Sequence, residues 1–276
     1  MPFTAYRRSG LIQRGLHQLR LFFIALQFFT RIPIPRWVGF EPDWLQHAVR
    51  YFPAVGWVVA AVTAAVYSLA ALLWPQAVAV LLSTIAGIYL TGAFHEDGFA
   101  DVCDGFGGGV TQQRVLEIMQ DSRVGAYGAI GIALLLALKC VLLASLPAGT
   151  VVIALLVAHP LSRLLSTALI WRLDYAKAQG KAKPLAQQMS SAEFLIATLT
   201  VALPTAIALA QGWIGWQALL AGVLCAALVT VFLARKFVQR IGGYTGDCLG
   251  TVQQAAEVAF YLGVLACVPS VLTVPA

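Results

Sequence analysis

Charge is what this chain has least of. Lys, Arg, Asp and Glu make up 11% of its 276 residues, against about 25% in a soluble domain, and that shortage excludes a water-soluble enzyme. The five cysteines form no CxxC pair, so neither a disulfide framework nor a thiolate zinc site is expected. Histidine is scarce too: the four present include no HExxH arrangement, which disfavours zinc. The 18 basic residues outnumber the 12 acidic ones, but they flank apolar runs instead of forming a patch, which argues against nucleic acid. No internal repeat and no Pro/Gly/Ser linker divides the chain. It reads as one integral membrane domain, residues 1–276.

What the chain has in abundance is apolar sequence, 60% of positions. A spanning helix needs about 20 mostly apolar residues, and seven stretches meet that: 51–74, 76–94, 125–147, 150–171, 191–210, 214–234 and 252–273. The expected fold is all-α, a polytopic membrane helix bundle. The links 74–76, 147–150 and 210–214 carry no charge, whereas 1–50, 95–124, 172–190 and 235–251 hold nearly all of it. Placing the Lys/Arg-bearing loops in the cytosol puts the N-terminus inside and the C-terminus outside. Residues 1–50 form a cytosolic and interfacial segment, in which Leu21–Phe29, too short to span and bracketed by Arg20 and Arg31, is expected to lie in the interface as a helix. No small-residue cleavage site follows that run, which argues against a signal peptide.

The acids are concentrated. Six of the twelve lie between Glu96 and Asp121, four of them in His95-Glu-Asp-Gly-Phe-Ala-Asp-Val-Cys-Asp-Gly105. On a helix continuing from span 76–94, Asp97, Asp101 and Asp104 would share one face. Like charges so placed at a lipid boundary need neutralising, and a hard divalent cation, Mg²⁺ above all, suits carboxylate oxygens. The metal candidates are Glu96, Asp97, Asp101 and Asp104. Because Mg²⁺ usually joins carboxylates to substrate phosphates, phosphate chemistry is expected.

Around this cluster lie further candidates. Four glycines in residues 105–109 make a turn or let a bulky substrate approach the backbone, Gly105 and Gly107 being the substrate-binding candidates. Thr111–Gln120 reads as a short amphipathic helix. Asp121 and Arg123 are further substrate-binding candidates, Asp121 being either another metal ligand or simply the partner of Arg123. Lys139 and Arg163 fall near the middle of two spans and must face the bundle interior, their counter-charge expected from a carboxylate–metal–phosphate assembly. His159, before Pro160, reads as a core residue satisfied by a backbone carbonyl. Arg172, Lys177, Lys181 and Lys183 form an ordinary positive-inside loop. Gly242, Gly246 and Gly250 recur every four residues, a smooth packing face, and Asp247 on it is a candidate for metal or a substrate hydroxyl.

Four blocks carry a family resemblance: residues 95–105, Arg114–Arg123, Gly243–Gly250 and Phe29-Thr-Arg-Ile-Pro-Ile-Pro35. They resemble the signatures of the cobalamin synthase (adenosylcobinamide-GDP ribazoletransferase) family, in order and over essentially the whole chain. The resemblance implies a multi-pass enzyme of the bacterial inner membrane, with its site toward the cytoplasm. It implies the joining of adenosylcobinamide-GDP to α-ribazole or its 5′-phosphate, release of GMP, and use of Mg²⁺. The family's acidic motif falls on Asp97, Asp101 and Asp104; Phe99 replaces the usual Leu. A looser likeness to CDP-alcohol phosphotransferases fails at the Ala-Arg step of their motif. In the implied reaction Asp97 and its neighbours hold Mg²⁺, Lys139 and Arg163 steady the leaving charge, and His95 or a carboxylate takes the hydroxyl proton. Substrates are small molecules, membrane lipid is a partner, and a homo-oligomer is compatible with the sequence. The competing class is a divalent-cation transporter, disfavoured because no acid is read at mid-span to hand an ion onward.

Overall fold

A computed structural model describes residues 3–176 and 188–268; Lys177, Lys181 and Lys183 lie outside them. The described residues form eleven α-helices. In chain order α1 is Phe3–Phe29, α2 Pro42–Ala48, α3 Phe52–Ala70, α4 Gln76–Thr91, α5 Phe94–Gly108 and α6 Gln112–Ile118, followed by α7 Ala126–Ser145, α8 Ala148–Arg172, α9 Ser191–Ala210, α10 Trp216–Ile241 and α11 Gly246–Ala266. Among the described residues the only β pairing is one isolated bridge between Tyr175 and Tyr244.

Local chemistry sets the boundaries. Pro75 and Pro147 occupy the N-cap positions of α4 and α8, where their missing N–H costs nothing. Ser190 and Glu193 form a reciprocal capping box on α9. Helix α4 stops at Gly92, φ +67°, and Ala93 follows with φ +60°. These two left-handed residues turn the chain by 90° into α5, so the acidic helix is not the continuation of span 76–94 that the sequence suggested. Gly92 leaves room for Arg31, whose Nε would lie 3.2 Å from any Cβ there and whose guanidinium stacks on Tyr89.

The bundle is polytopic, with fewer apolar crossings than expected. Among the described residues five helical segments are long and apolar enough to cross a membrane, Asp43–Ala70, Ala126–Ser145, Ala148–Arg172, Ser191–Ala210 and Trp216–Ile241, or six if the bent α4–α5 pair counts as one. The seventh expected span, 252–273, corresponds to α11, which begins earlier and does not qualify by composition. Its Gln253, Gln254 and Glu257 are buried, enclosed by α5, α7, α8 and α10. Protein, not lipid, solvates α11, so its polarity is tolerated.

Leu21–Phe29 is also revised: it is the last part of a 27-residue helix. Leu21, Ile24, Ala25, Leu26 and Phe29 are buried in an apolar cluster with Val49, Phe52 and Val55, so one face of this segment packs on protein instead of lipid. A second cluster, built on Tyr67, Leu143, Val151, Leu155, Phe260 and Tyr261, fills the other half of the bundle. The acidic helix α5 lies between α7 and α11, both packed against it.

Candidate functional site

Helix α5 presents Asp97, Asp101 and Asp104 along one face, but in three environments: Asp97 is exposed, Asp101 half-buried and Asp104 buried. Asp104 Oδ2 accepts the Gly125 N–H at 2.7 Å and Oδ1 accepts that of Gly128 at 2.8 Å. These are donors from the first turn of α7, which no intrahelical carbonyl can satisfy. A Cβ at Gly125 or Gly128 would come within 2.5 or 2.3 Å of the carboxylate. Asp104 is thereby the anchor of α7 on α5.

The other two aspartates share their surface with Asp247. A Cβ at Gly98 would lie 2.9 Å from Asp247 Cα, and Thr251 Oγ1 donates to the Gly98 carbonyl at 3.2 Å. The first turn of α11 therefore rests directly on α5, beside the turn that carries Asp97 and Asp101. Half-buried Asp247 stands at the start of a 21-residue helix, where the exposed N–H groups favour negative charge, and its Oδ2 accepts from Thr245 Oγ1 at 3.3 Å. The proposed glycine face does not form: Gly242, φ +77°, follows α10, a Cβ at Gly246 would meet nothing, and only Gly250 packs closely, against the His95 backbone.

Sequence reasoning missed the strap over this surface. The Tyr244 N–H donates to the Asp174 carbonyl at 3.0 Å and the Ala176 N–H to the Tyr244 carbonyl at 2.8 Å, tying the chain after α8 to the turn before α11. Tyr175 and Tyr244 meet edge to face at 5.4 Å. Burial, with Asp247 and Cys248 nearby, pushes the Tyr175 phenol up; burial does the same to Tyr244. No spacing pattern announces this bridge, although the two tyrosines themselves flank charged, glycine-rich sequence.

Other sequence candidates lie in packing or ion-pair contacts. A Cβ at Gly105 would strike Met119 Cγ and one at Gly107 the Tyr127 ring, both at 2.5 Å, so the space assigned to substrate is filled by helix packing. Arg240 clamps the same end, its Nη2 donating to the Gly109 carbonyl at 2.6 Å. Asp121 is the partner of Arg123, which donates Nε at 3.0 Å and Nη2 at 2.7 Å. Those bonds lower the Asp121 carboxyl to about 2.

His95, Glu96, Lys139 and Arg163 face away from Asp97. Successive helical residues are about 100° apart, so Glu96 points inward while Asp97 points out. His95 is 4% exposed and stacked on Phe29. Glu96 Oε1 accepts from Gln254 Nε2 at 2.8 Å. Lys139 Nζ lies 2.5 Å from Glu257 Oε1, which also accepts from Tyr261 at 3.0 Å, while Gln253 donates to Oε2 at 2.7 Å. His159 Nδ1 is 3.2 Å from Glu257 Oε2, so it faces a carboxylate and not the backbone carbonyl expected for it. Arg163 Nη1 donates to the His159 carbonyl at 3.0 Å. The cations do face the interior, but the acid that balances Lys139 is Glu257, inside a helix, where none was expected.

Among the described residues no three His, Cys, Asp or Glu side chains are close enough to hold a metal ion by themselves. The candidate donors on this side of α5, Asp97, Asp101 and Asp247, are nonetheless hard carboxylate oxygens. Such a set suits Mg²⁺, which takes one or two carboxylates and completes its shell with water and substrate phosphate.

Fold and site together define the class: an all-α, multi-pass membrane protein with a carboxylate-bearing face where α5 meets the first turn of α11. The sequence model described as cobalamin-5-phosphate synthase matches residues 21–265, and the chain belongs to that family. A Leptothrix cholodnii protein is 50% identical over 91% of this chain and 97% of its own length; proteins of Shewanella frigidimarina and Ralstonia pickettii are 43% and 45% identical over 94% and 88% of this chain, 98% and 93% of their own. Each of the three is named adenosylcobinamide-GDP ribazoletransferase. No solved structure matches the chain.

Proposed function

We propose that this chain joins adenosylcobinamide-GDP to α-ribazole or α-ribazole 5′-phosphate and releases GMP, in a Mg²⁺-dependent reaction on the α5–α11 face. The observation that carries this reading is the seating of Asp247 against Gly98, which gathers acids from two distant motifs of the family at one surface. Asp97 and Asp101, with Asp247 beside them, would hold the ion, which supplies charge neutralisation to the diphosphate.

A ribose hydroxyl oxygen of the ribazole attacks the cobinamide-side phosphorus, the bond from that phosphorus to the GMP phosphate oxygen breaks, and GMP leaves with the electron pair. Such transfers depend mainly on alignment and charge placement. The hydroxyl proton passes to an open-face carboxylate, since Asp97 is exposed whereas His95 is buried against Phe29. Lys139 and Arg163 act through the fold, without touching substrate. The face opens to the cytoplasm across the inner membrane, an orientation supported by the basic residues at that end, Arg114, Arg123, Arg172 and Arg240.

One observation favours a second reading, divalent-cation transport: Glu257 is an acid inside the bundle. Its pairing with Lys139 opposes that use. Protein reconstituted in proteoliposomes separates the two. The transferase reading expects GMP release only when both substrates and Mg²⁺ are present, abolished by EDTA, and no ion flux. Mg²⁺ flux without substrate, with no GMP formed, would overturn it.

A further inference from the structure

The buried charges surround a second site, distinct from the open acidic face. His95, Glu96, Lys139, His159, Arg163, Gln253, Gln254 and Glu257 line a narrow, partly open pocket between the helices with a volume of about 20 Å³. Unpartnered polar atoms gather on its wall. Glu96 Oε2, Arg163 Nε, Gln253 Oε1, Gln254 Oε1 and His159 Nε2 are buried without a hydrogen-bond partner, and Glu96 and Arg163 are only 8% and 2% exposed. Buried polar groups are nearly always satisfied, so so many at one cavity point to a ligand.

Charge and size select that ligand. Lys139 is balanced by Glu257 at 2.5 Å, leaving one carboxylate, Glu96, and one guanidinium, Arg163. The wall is then neutral, which favours neither a cation beside Arg163 nor an anion beside Glu96. A cavity of this volume accommodates about one water, which needs two to four polar partners. Glu96 Oε2 accepts, Arg163 Nε donates, and the glutamine amides add further sites.

We propose that ordered water in this cavity bridges Glu96 on α5 to Arg163 on α8, and that Glu96 is thereby the positioning residue for Asp97 and Asp101. Glu96 is already held to α11 through Gln254 at 2.8 Å. The bridge adds a third helix to the same carboxylate. It fixes the rotation of α5, on which the outward aim of Asp97 depends. The positioning half of the inference rests on the transferase reading above; the water site does not.

The test has parts that succeed or fail separately. A high-resolution single-particle map of the intact protein is expected to show a density peak within hydrogen-bonding distance of Glu96 Oε2 and Arg163 Nε. Direct contact of the two groups with nothing between them would overturn the bridge. In thermal unfolding in detergent micelles, Glu96→Gln and Arg163→Gln each lower the midpoint, because each strands the other charge, and the double variant recovers toward wild type; strictly additive losses overturn the pairing. Amide exchange across residues 94–104 quickens in Glu96→Gln and slows again in the double variant; unchanged exchange overturns positioning without reference to activity. For GMP release, Glu96→Gln lowers kcat about 10–100-fold, the scale of a small misplacement of reacting groups, with KM unchanged. An equal kcat overturns positioning, whereas a wild-type protein that releases no GMP overturns the functional reading and leaves the map, unfolding and exchange results to decide this one.

Discussion

Two regions of this molecule hold its charge in opposite ways. On the α5–α11 face, Asp97 is exposed while Asp101 and Asp247 are half-buried, all three of one charge sign. One residue away on the same helix, Glu96 enters a cavity where acids and bases are matched, and Lys139 with Glu257 forms a closed pair. The first arrangement sets an exposed carboxylate, Asp97, beside two half-buried ones, which the proposed reaction would use to hold an ion. The second has cancelled its charge internally. Buried ionic groups in this bundle serve cohesion by pairing, as Lys139 and Glu257 do, whereas the carboxylate that reaches solvent, Asp97, is the one placed to meet substrate in the proposed reaction.

The largest effect that would break this contrast lies in the interior. Lys139→Met or Glu257→Gln should each cost about 3–5 kcal/mol of stability, the range for orphaning one member of a buried ion pair, while the double substitution recovers part of that loss. Thermal or denaturant unfolding in detergent measures it, and single variants as stable as the parent would show that the pair is not cohesive. On the open face, Asp97→Asn should leave unfolding unchanged and lower GMP release by about 10²–10³-fold, the scale seen when an electrostatic group is removed from a transition state. Retained turnover would take Asp97 out of the site.

Asp104 falls between the two regions, since it belongs to the acidic stripe by sequence and to the packing by contact. Asp104→Ala strands two N–H groups of α7 and should cost about 1–3 kcal/mol, visible as a lower unfolding midpoint and faster exchange at residues 125–128. The smallest effect belongs to Asp121. Its folded pKa of about 2 lies below the ordinary 3.8 because Arg123 hydrogen-bonds the carboxylate. Its contribution is therefore complete above pH 3.8 and lost as pH falls through about 2. Arg123→Ala should return the carboxyl to the ordinary range in an NMR titration and leave neutral-pH stability nearly unaltered, as expected for an exposed pair.

Much of this was legible in the sequence, and what was not has specific causes. The i, i+4, i+7 spacing of Asp97, Asp101 and Asp104 correctly put them on one face, and the apolar runs located most membrane helices. The same spacing could not say that Asp104 turns toward Gly125 and Gly128, because that contact depends on where α7 starts. Hydropathy overcounted apolar spans at α11, and the role of Glu257 stayed hidden because its partner Lys139 comes from a helix far away in the chain. The bend at Gly92 and Ala93 was concealed by apolar sequence continuing through it. The hydrogen bonds of the Tyr175–Tyr244 bridge run between backbone groups, which leave no residue signature, and the ring contact joins tyrosines from loops far apart in the chain.

The open face is most directly tested by a Mg²⁺ titration of GMP release in Asp247→Asn beside the parent protein. The account predicts a Mg²⁺ requirement about 10–100-fold higher, on the scale of losing a group that supports a metal site, with turnover largely restored at saturating metal. An unchanged Mg²⁺ dependence in a folded variant would contradict it, because Asp247 would then rest on α5 without serving the ion.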